Sequence, residues 1–365
     1  MSTPFGRSQL LPVVAIPVRN EAERIAELLR ALGRQRYLAG ADRALPVVLV
    51  FNNCTDRSAE VAAAAAADQP GLSLHAVVVE FPAHRAHVGS ARRLSLQVAR
   101  ALLPASGQGV MMITDADARP DEHWVGANLA AIEAGADVVG GAIFGDDAEE
   151  ALLGPRFVAR AGDHERYARL CDRLTALIDP IVHDPWPHHR HHTGASLAFR
   201  AVAYDRVGGM EALPTREDIA FVSKLRAAGF RLRHDPDVKV TVSARTAGRA
   251  LGGMADCLKQ WVDMANADLP HLVESPKLVI ARARLRSWLR SANFAGMADG
   301  QALASLLGLP AAEWCRRRQD GSFRHWLIER YAPEEPDAPA TMPVAEAIGE
   351  MTAHLSLYEG LGHAA

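Results

Sequence analysis

The chain predicts an α/β fold: a Rossmann-like, mostly parallel central sheet flanked by helices, followed by a helix-rich C-terminal region. Three observations carry the prediction. From Leu11 to Phe144, apolar runs of strand length alternate with segments whose apolar residues recur at helical spacing, which is the signature of βαβ units with right-handed crossovers. One run, Val110 to Thr114, reads as a strand buried on both faces and ends in two aspartates, Asp115 and Asp117, at the open end where α/β sheets bind ligands. The chain, with 365 residues and 49% hydrophobic content, is long enough to bury one large core or two ordinary ones.

Taken in order, Leu11 to Val18 (LPVVAIPV) is the first strand. The helix after it carries Ile25, Leu28, Leu29 and Leu32 on one face, and Asn20 followed by Glu23 has the form of an N-cap with its reciprocal partner. Pro46 to Asn53 is the second strand, and Thr55 or Asp56 is placed to cap the alanine-rich helix that ends near Asp68. Leu72 to Glu80 is a third strand, and a helix spans about Gly89 to Leu103. The aspartate-bearing strand is followed by a helix around Glu122 to Ala134 and a strand from Ala136 to Phe144. Beyond Gly145 the pattern loosens. Residues 146–180 are charged and helical in tendency, and Ile181 to Gly194 is a loop dense in proline and histidine. A short strand, a helix and a double-glycine turn at Gly208-Gly209 come next. The segment REDIAFVSKLRAAGF then forms an amphipathic helix with Ile219, Val222, Leu225 and Arg226 along one stripe. Two short strands, near Phe230 to His234 and Val238 to Val242, close the sheet. The tail from about Thr246 is read as helical, with a loop at Tyr331 to Pro343 and no internal repeat. The expected division is a catalytic domain over residues 1–245 and a helical region over 246–365.

Composition narrows the function. A net charge of -3 gives no basic field of the kind nucleic-acid binders need. The four cysteines, Cys54, Cys171, Cys257 and Cys315, are far apart and form no C-x-x-C pair. Neither a zinc knuckle nor a disulfide framework is indicated, and reduced thiols in a cytoplasm are the simplest account. No run approaches the roughly 18 to 20 apolar residues that span a bilayer, so no transmembrane segment is expected, while peripheral membrane contact stays open.

The chemistry-bearing residues are carboxylates. At a strand exit, residues i and i+2 point to the same side, so Asp115 and Asp117 can converge on one hard divalent cation carrying a diphosphate; the bland alternative is a solvated acidic turn. Glu217 and Asp218 open a helix, where unpaired N–H groups and the dipole favour carboxylates, so simple capping is their alternative reading. His188, His189, His191 and His192 lack the i, i+4 spacing and carboxylate partner of a familiar zinc motif. They are read as a loop near an acceptor, touching an anionic or hydroxyl-rich group, or as a plain solvated loop.

The order VVAIPVRNEAERI, VVLVFNNCTDRS, MITDAD, GASLAFRAVAYDRVGGM and TREDIAFVSKLRAAGFRL, spread over about residues 10–245, resembles the family 2 glycosyltransferases of GT-A fold. The resemblance implies a nucleotide-diphosphate sugar donor, a divalent metal (Mn2+ or Mg2+), and transfer to an acceptor hydroxyl with inversion at the anomeric carbon. Asp115-Ala116-Asp117 matches the family's D-x-D. It implies Asp117 as a direct metal ligand, with Asp115 beside the metal and, like Ala116, against the donor. Asp218 is the implied general base, with Glu217 positioning donor or acceptor hydroxyls. Pro17, Asn20 and Glu21 match P-x-x-N-E and are implied to surround the nucleoside.

Three departures from the family pattern stand out. Asn52 and Asn53 occupy the second-strand motif where the family commonly has an acidic residue; an amide can still pair with a base edge. Many members carry a lysine before the third helix, where this chain has Arg85, Arg92 and Arg93. Arg92 and Arg93 read either as a bidentate diphosphate clamp or as solvated face residues. Relatives often place a histidine after the last strand as a third metal ligand, and here Ser243 stands with no histidine nearby. Gly194, Ala195 and Ser196 match the family's small-residue strand beneath the acceptor, where backbone can approach substrate.

The leading expectation is therefore an inverting, metal-dependent sugar transferase whose C-terminal region completes the acceptor site, forms a homodimer, or both. A nucleotidyltransferase would want a glycine-rich loop after the first strand, which IPVRNEAERI lacks. A catalytically silent nucleotide-binding or scaffold protein would not need both carboxylate pairs.

Overall fold

The computed structural model describes residues 9–248, 253–292, 304–305, 307–310, 312, 314, 322–333, 336 and 338–362. In chain order the elements are β1 (Leu11–Val18), α1 (Ile25–Gly33), β2 (Leu45–Asn52), α2 (Ser58–Ala67), β3 (Leu72–Val79), α3 (Val88–Leu102), β4 (Gly109–Ile113) and β5 (Ala118–Pro120). They continue with α4 (Trp124–Glu133), β6 (Val138–Gly145), α5 (Asp147–Leu152), α6 (Pro155–Ile178), β7 (Leu197–Arg200), α7 (Ala201–Arg206), α8 (Glu217–Ala227), β8 (Leu232–Val242) and α9 (Met254–Asn266).

Eight strands form one sheet in the order β3-β2-β1-β4-β7-β6-β8-β5. The pairs β2·β3, β1·β2, β1·β4 and β6·β8 are parallel, while β4·β7, β6·β7 and β5·β8 are antiparallel. The sheet is therefore the mostly parallel one the alternating pattern predicts. β4 is central and every one of its residues is buried, as an uninterrupted apolar run requires. The core packs Val14, Ile16, Leu49, Phe51 and Met112 of the sheet against Leu28 and Leu29 of α1 and Trp124 and Ile132 of α4. Burial of each such side chain contributes about 1.5–3 kcal/mol.

Several expectations are corrected. Asn20 is not the N-cap of α1: the helix starts at Ile25, its N-cap Arg24 makes no side-chain cap, and Asn20 has a left-handed backbone, φ 55°. Its Oδ1 instead accepts from Thr55 N at 2.8 Å, so the residue ties the β1 exit to the β2 exit. Thr55 caps no helix either. It is Asp56 that serves the start of α2, its Oδ1 accepting from Ser58 N at 3.0 Å while its Oδ2 accepts from Ala22 N at 3.0 Å. The two short strands expected near 230–242 are one strand, β8. It pairs with β6 with a register break, Gly141 facing Asp235 and Ala142 facing Lys239; the break falls at Pro236, which has no N–H to give the ladder. The three-residue β5, hydrogen-bonded to β8, was not expected; it lies between the two aspartates and α4.

The chain divides into two compact units: Met1–Gly162, Pro187–Val222 and Arg231–Leu269 form the first, and Asp163–Trp186, Ser223–Phe230 and Pro270–Ala365 the second. The second is largely helical, with Pro276–Ser291, Phe323–Tyr331 and Val344–Gly362, but it also holds an antiparallel pair of short strands, Leu272–Glu274 and Thr341–Pro343, in a tail read as helix and loop. Its core sets Tyr167, Cys171 and Leu174 against Val279, Ile348 and Met351, and Asp179 is buried between Arg286 and Arg290. Cys54, Cys171 and Cys257 are free thiols; Cys315 lies outside the described residues. No described helix is long and apolar enough to cross a membrane.

Candidate active site

Topology delivers the site. β4 ends at Ile113, and Thr114 Oγ1 donates to Ala195 O at 2.8 Å, tying the β4 exit to the segment that leads into β7. The chain then makes a tight turn closed by Ala118 N on Asp115 O at 3.2 Å. That turn presents Asp115 and Asp117, with Ala116 buried between them, before the chain enters β5. Because Ala118 pairs with Val242, Asp117 is carried next to the exit of β8, where Ser243, Ala244 and Arg245 follow.

Arg92, on α3, is the hub of the acids. It is buried, and it donates through Nη2 to Asp115 Oδ1 at 2.5 Å and through Nη1 to Glu217 Oε1. Its Nη1 stands 3.8 Å from Asp218 Oδ2. Burial alone would lower the guanidinium's pKa, but Asp115, Glu217 and Asp218 outweigh it and drive the value up. The solvated-face reading of Arg92 is thereby corrected: a side chain 4% exposed among three carboxylates is an internal counter-ion. Desolvation pushes the Glu217 and Asp115 carboxyls upward, against the pull of Arg92.

Asp218 is held from its own helix and from the loop before β7. Its Oδ1 accepts from Ile219 N at 2.8 Å and its Oδ2 from Gly194 N at 2.6 Å. Gly194 is small for a reason the sequence did not reveal. A Cβ there would come within 2.2 Å of Arg92 Nη1, so it is the guanidinium that approaches this backbone.

Arg245 is the second hub and had drawn no attention in the sequence. It grips Glu21 with both nitrogens, Nη1 to Oε2 at 2.7 Å and Nη2 to Oε1 at 2.5 Å, and its Nη2 stands 3.0 Å from Asp117 Oδ2. Burial lowers its pKa and the acids more than reverse this. Asp117 itself is pushed up by desolvation, against Arg245. Glu149 Oε2 fixes the segment before Arg245, accepting from Ala244 N at 2.8 Å and Ser243 Oγ at 3.0 Å. The signal that could have found Arg245 is its place, a basic residue just past the last strand of the sheet.

The two asparagines differ. Asn53 has φ 49°, and its amide is committed to the main chain of Phe81, accepting from Phe81 N at 3.0 Å and donating to Phe81 O at 3.0 Å. Asn52 is buried; its Nδ2 donates to His87 O at 3.3 Å, and its Oδ1 has no hydrogen-bond partner. A buried amide oxygen without a donor invites a ligand N–H. Pro17 is buried in β1 opposite Val50, and Glu21 is buried with its N–H on Ser58 Oγ at 2.7 Å.

The donor set suits a hard divalent cation. Asp115 and Asp117 offer carboxylate oxygens, and burial raises both carboxyls against the pull of Arg92 and Arg245, a cost that a bound cation would offset. Arg245 competes for the same Asp117 oxygen.

Residues 13–190 match the family model described as Glycosyl transferase family 2. No curated protein matches the chain. Solved structures with similar folds include a mannosyltransferase from Pyrobaculum calidifontis in complex with GDP-Man and Mn2+, at 17% identity and TM-score 0.44, covering 91% of this chain and 92% of that one. Another is S. aureus TarS 1-349 in complex with UDP, at 12% identity and TM-score 0.47, covering 92% and 96%. A third is glucosyl-3-phosphoglycerate synthase from Mycobacterium tuberculosis in complex with Mn2+, uridine-diphosphate and phosphoglyceric acid, at 15% identity and TM-score 0.39, covering 72% and 80%.

Proposed function

The chain belongs to the family 2 glycosyltransferases, and from that premise we propose that it moves a sugar from a nucleotide-diphosphate donor to an acceptor hydroxyl, with inversion at the anomeric carbon and help from a divalent metal. One observation carries the reading. Arg92 gathers Asp115, from the end of the central strand, and Glu217 and Asp218, from the start of α8, around a single buried guanidinium, so donor-side and acceptor-side acids share one centre.

Asn52 Oδ1 accepts an N–H of the donor base, and Pro17 and the Asn20 turn wall the nucleoside. Asn53 braces the loop through Phe81 rather than touching the base. Asp117, with Asp115 beside it, would hold Mn2+ or Mg2+, which would supply electrostatic stabilisation of the charge that grows on the departing diphosphate. Asp218 removes the proton from the acceptor hydroxyl as it attacks, and the Gly194 N–H aims its carboxylate. Glu217, held by Arg92, orients the hydroxyls of donor or acceptor.

The test is a panel of UDP-, GDP-, ADP- and dTDP-sugars in a thermal-shift assay with Mn2+ or Mg2+. One nucleotide is expected to stabilise the protein only when metal is present, by about 2.7 kcal/mol at a hundredfold excess over Kd. Indifference to all four donors, with and without metal, would overturn the reading.

A further inference from the structure

Given the donor and metal of the proposed function, on which this rests, we propose that Arg245 competes with the divalent cation for Asp117. It yields that carboxylate when the donor's diphosphate arrives, so that cation and donor bind together.

Three strand exits of the first compact unit build the contact: Glu21 after β1, Asp117 after β4 and Arg245 after β8. The main chain that carries Arg245 is fixed. Glu149 Oε2, from α5, accepts from Ala244 N and Ser243 Oγ, while Arg24 Nη1 donates to Glu149 Oε1 at 2.7 Å. Ser243 Oγ also accepts from Arg245 N at 3.2 Å. Any change of partner therefore falls to the Arg245 side chain. Its two contacts are unequal. Glu21 is gripped by both terminal nitrogens, at 2.7 and 2.5 Å, whereas Asp117 Oδ2 is met only by Nη2, at 3.0 Å, a nitrogen that Glu21 already shares. The Glu21 side chain is 6% exposed and that of Asp117 19%, so the firm contact lies inside and the weaker one on the side a ligand reaches. The guanidinium can let go of Asp117 while Glu21 still holds it.

Charge sets the coupling. A cation about 2.1 Å from a carboxylate oxygen that Arg245 meets at 3.0 Å stands about 5 Å at most from the guanidinium nitrogen. Like charges that close repel strongly in a half-buried pocket. Glu21 and Asp117 carry two negative charges, against three on the guanidinium and a divalent cation together. A diphosphate makes good the shortfall, with oxygens for the cation and a paired acceptor for the arginine fork. Each ligand then raises the affinity of the other by the same factor.

The test titrates the full chain with Mn2+ alone, read from loss of the electron-spin signal of aqueous Mn2+. UDP, GDP, ADP and dTDP are then titrated with and without saturating Mn2+. In the wild type, Mn2+ is expected to lower the Kd of the recognised nucleotide by at least about tenfold. Arg245→Met keeps the length of the stem and removes the charge. It is expected to bind Mn2+ alone at least about tenfold more tightly than the wild type and to show a smaller effect of Mn2+ on the nucleotide. A variant that only damages the fold does not gain affinity for metal, and circular dichroism checks its structure. Failure of all four nucleotides to bind in the presence of Mn2+, or Mn2+ binding undiminished in Asp117→Asn, would overturn the donor and metal assignment and the proposal with it. With those two intact, wild-type nucleotide affinity indifferent to Mn2+, or Arg245→Met binding Mn2+ alone no more tightly than the wild type, would overturn the proposal by itself.

Discussion

Arg92 Nη2 lies 2.5 Å from Asp115 Oδ1, and the other nitrogen of the same fork donates to Glu217. One buried cation thus holds two acids, one from the exit of β4 and one from the start of α8. Removing it leaves desolvated carboxylates without a partner, and breaking a buried pair in this way costs about 3–5 kcal/mol. Arg92→Ala is expected to lose stability on that scale in urea unfolding, and Arg92→Lys to recover only part of it, because a point charge cannot fork. A loss under about 1 kcal/mol, the surface-pair range, would show that the hub is not structural.

Arg245 occupies Asp117, which the proposed function assigns to the metal, and Glu21 beside it. Arg245→Ala is expected to bind Mn2+ more tightly in the absence of nucleotide, since Glu21 and Asp117 lose their counter-ion. The same variant should bind the nucleoside diphosphate about tenfold more weakly, roughly 1.4 kcal/mol, through loss of a guanidinium that can turn to the phosphates. Isothermal titration of each ligand separately checks both. Changes of the same sign would remove Arg245 from this double role.

Asp218→Asn keeps the side-chain size and one of the two acceptors that meet Gly194 N and Ile219 N, but it cannot take a proton. Turnover is expected to fall by about 10²–10⁴ with donor affinity nearly unchanged, measured by initial rates alongside nucleotide titration. A variant that turns over normally would exclude Asp218 as the base.

Glu217 is raised above its ordinary 4.5 by burial, so the folded protein holds this proton at pH values where the unfolded chain has released it. Its contribution to stability is in place below 4.5 and is lost as pH rises through the folded-state value. Wild type is therefore expected to show, relative to Glu217→Gln, which lacks the proton equilibrium, a fall in Tm as pH rises from 4.5 to the folded-state value. Parallel Tm-against-pH curves for the two proteins would contradict the assignment.

Much was legible in the sequence because it depends on short-range pattern. The buried strands β1, β2 and β4 read from continuous apolar runs, α1 from Ile25, Leu28, Leu29 and Leu32, and the Gly208-Gly209 turn from two glycines that both take positive φ. The acids Asp115, Asp117, Glu217 and Asp218 stood out because they sit at strand exits and helix starts, which are fixed by the local chain. Asn20 misled because a cap and a left-handed turn use the same residue type, and only its contact with Thr55, 35 positions away, separates them.

What the tertiary structure alone decided is which charge meets which. Arg92 looked like one of several arginines on a helix until three carboxylates closed over it. Arg245 was silent until the β5·β8 pairing set it beside Asp117, and His234 until β8 brought its ring nitrogen against that of His192. Periodicity reports which face of an element is buried, because burial repeats along the element. It carries no record of the long-range partner, because an ion pair or a nitrogen-to-nitrogen contact is a property of two places in the fold and leaves no repeat in either.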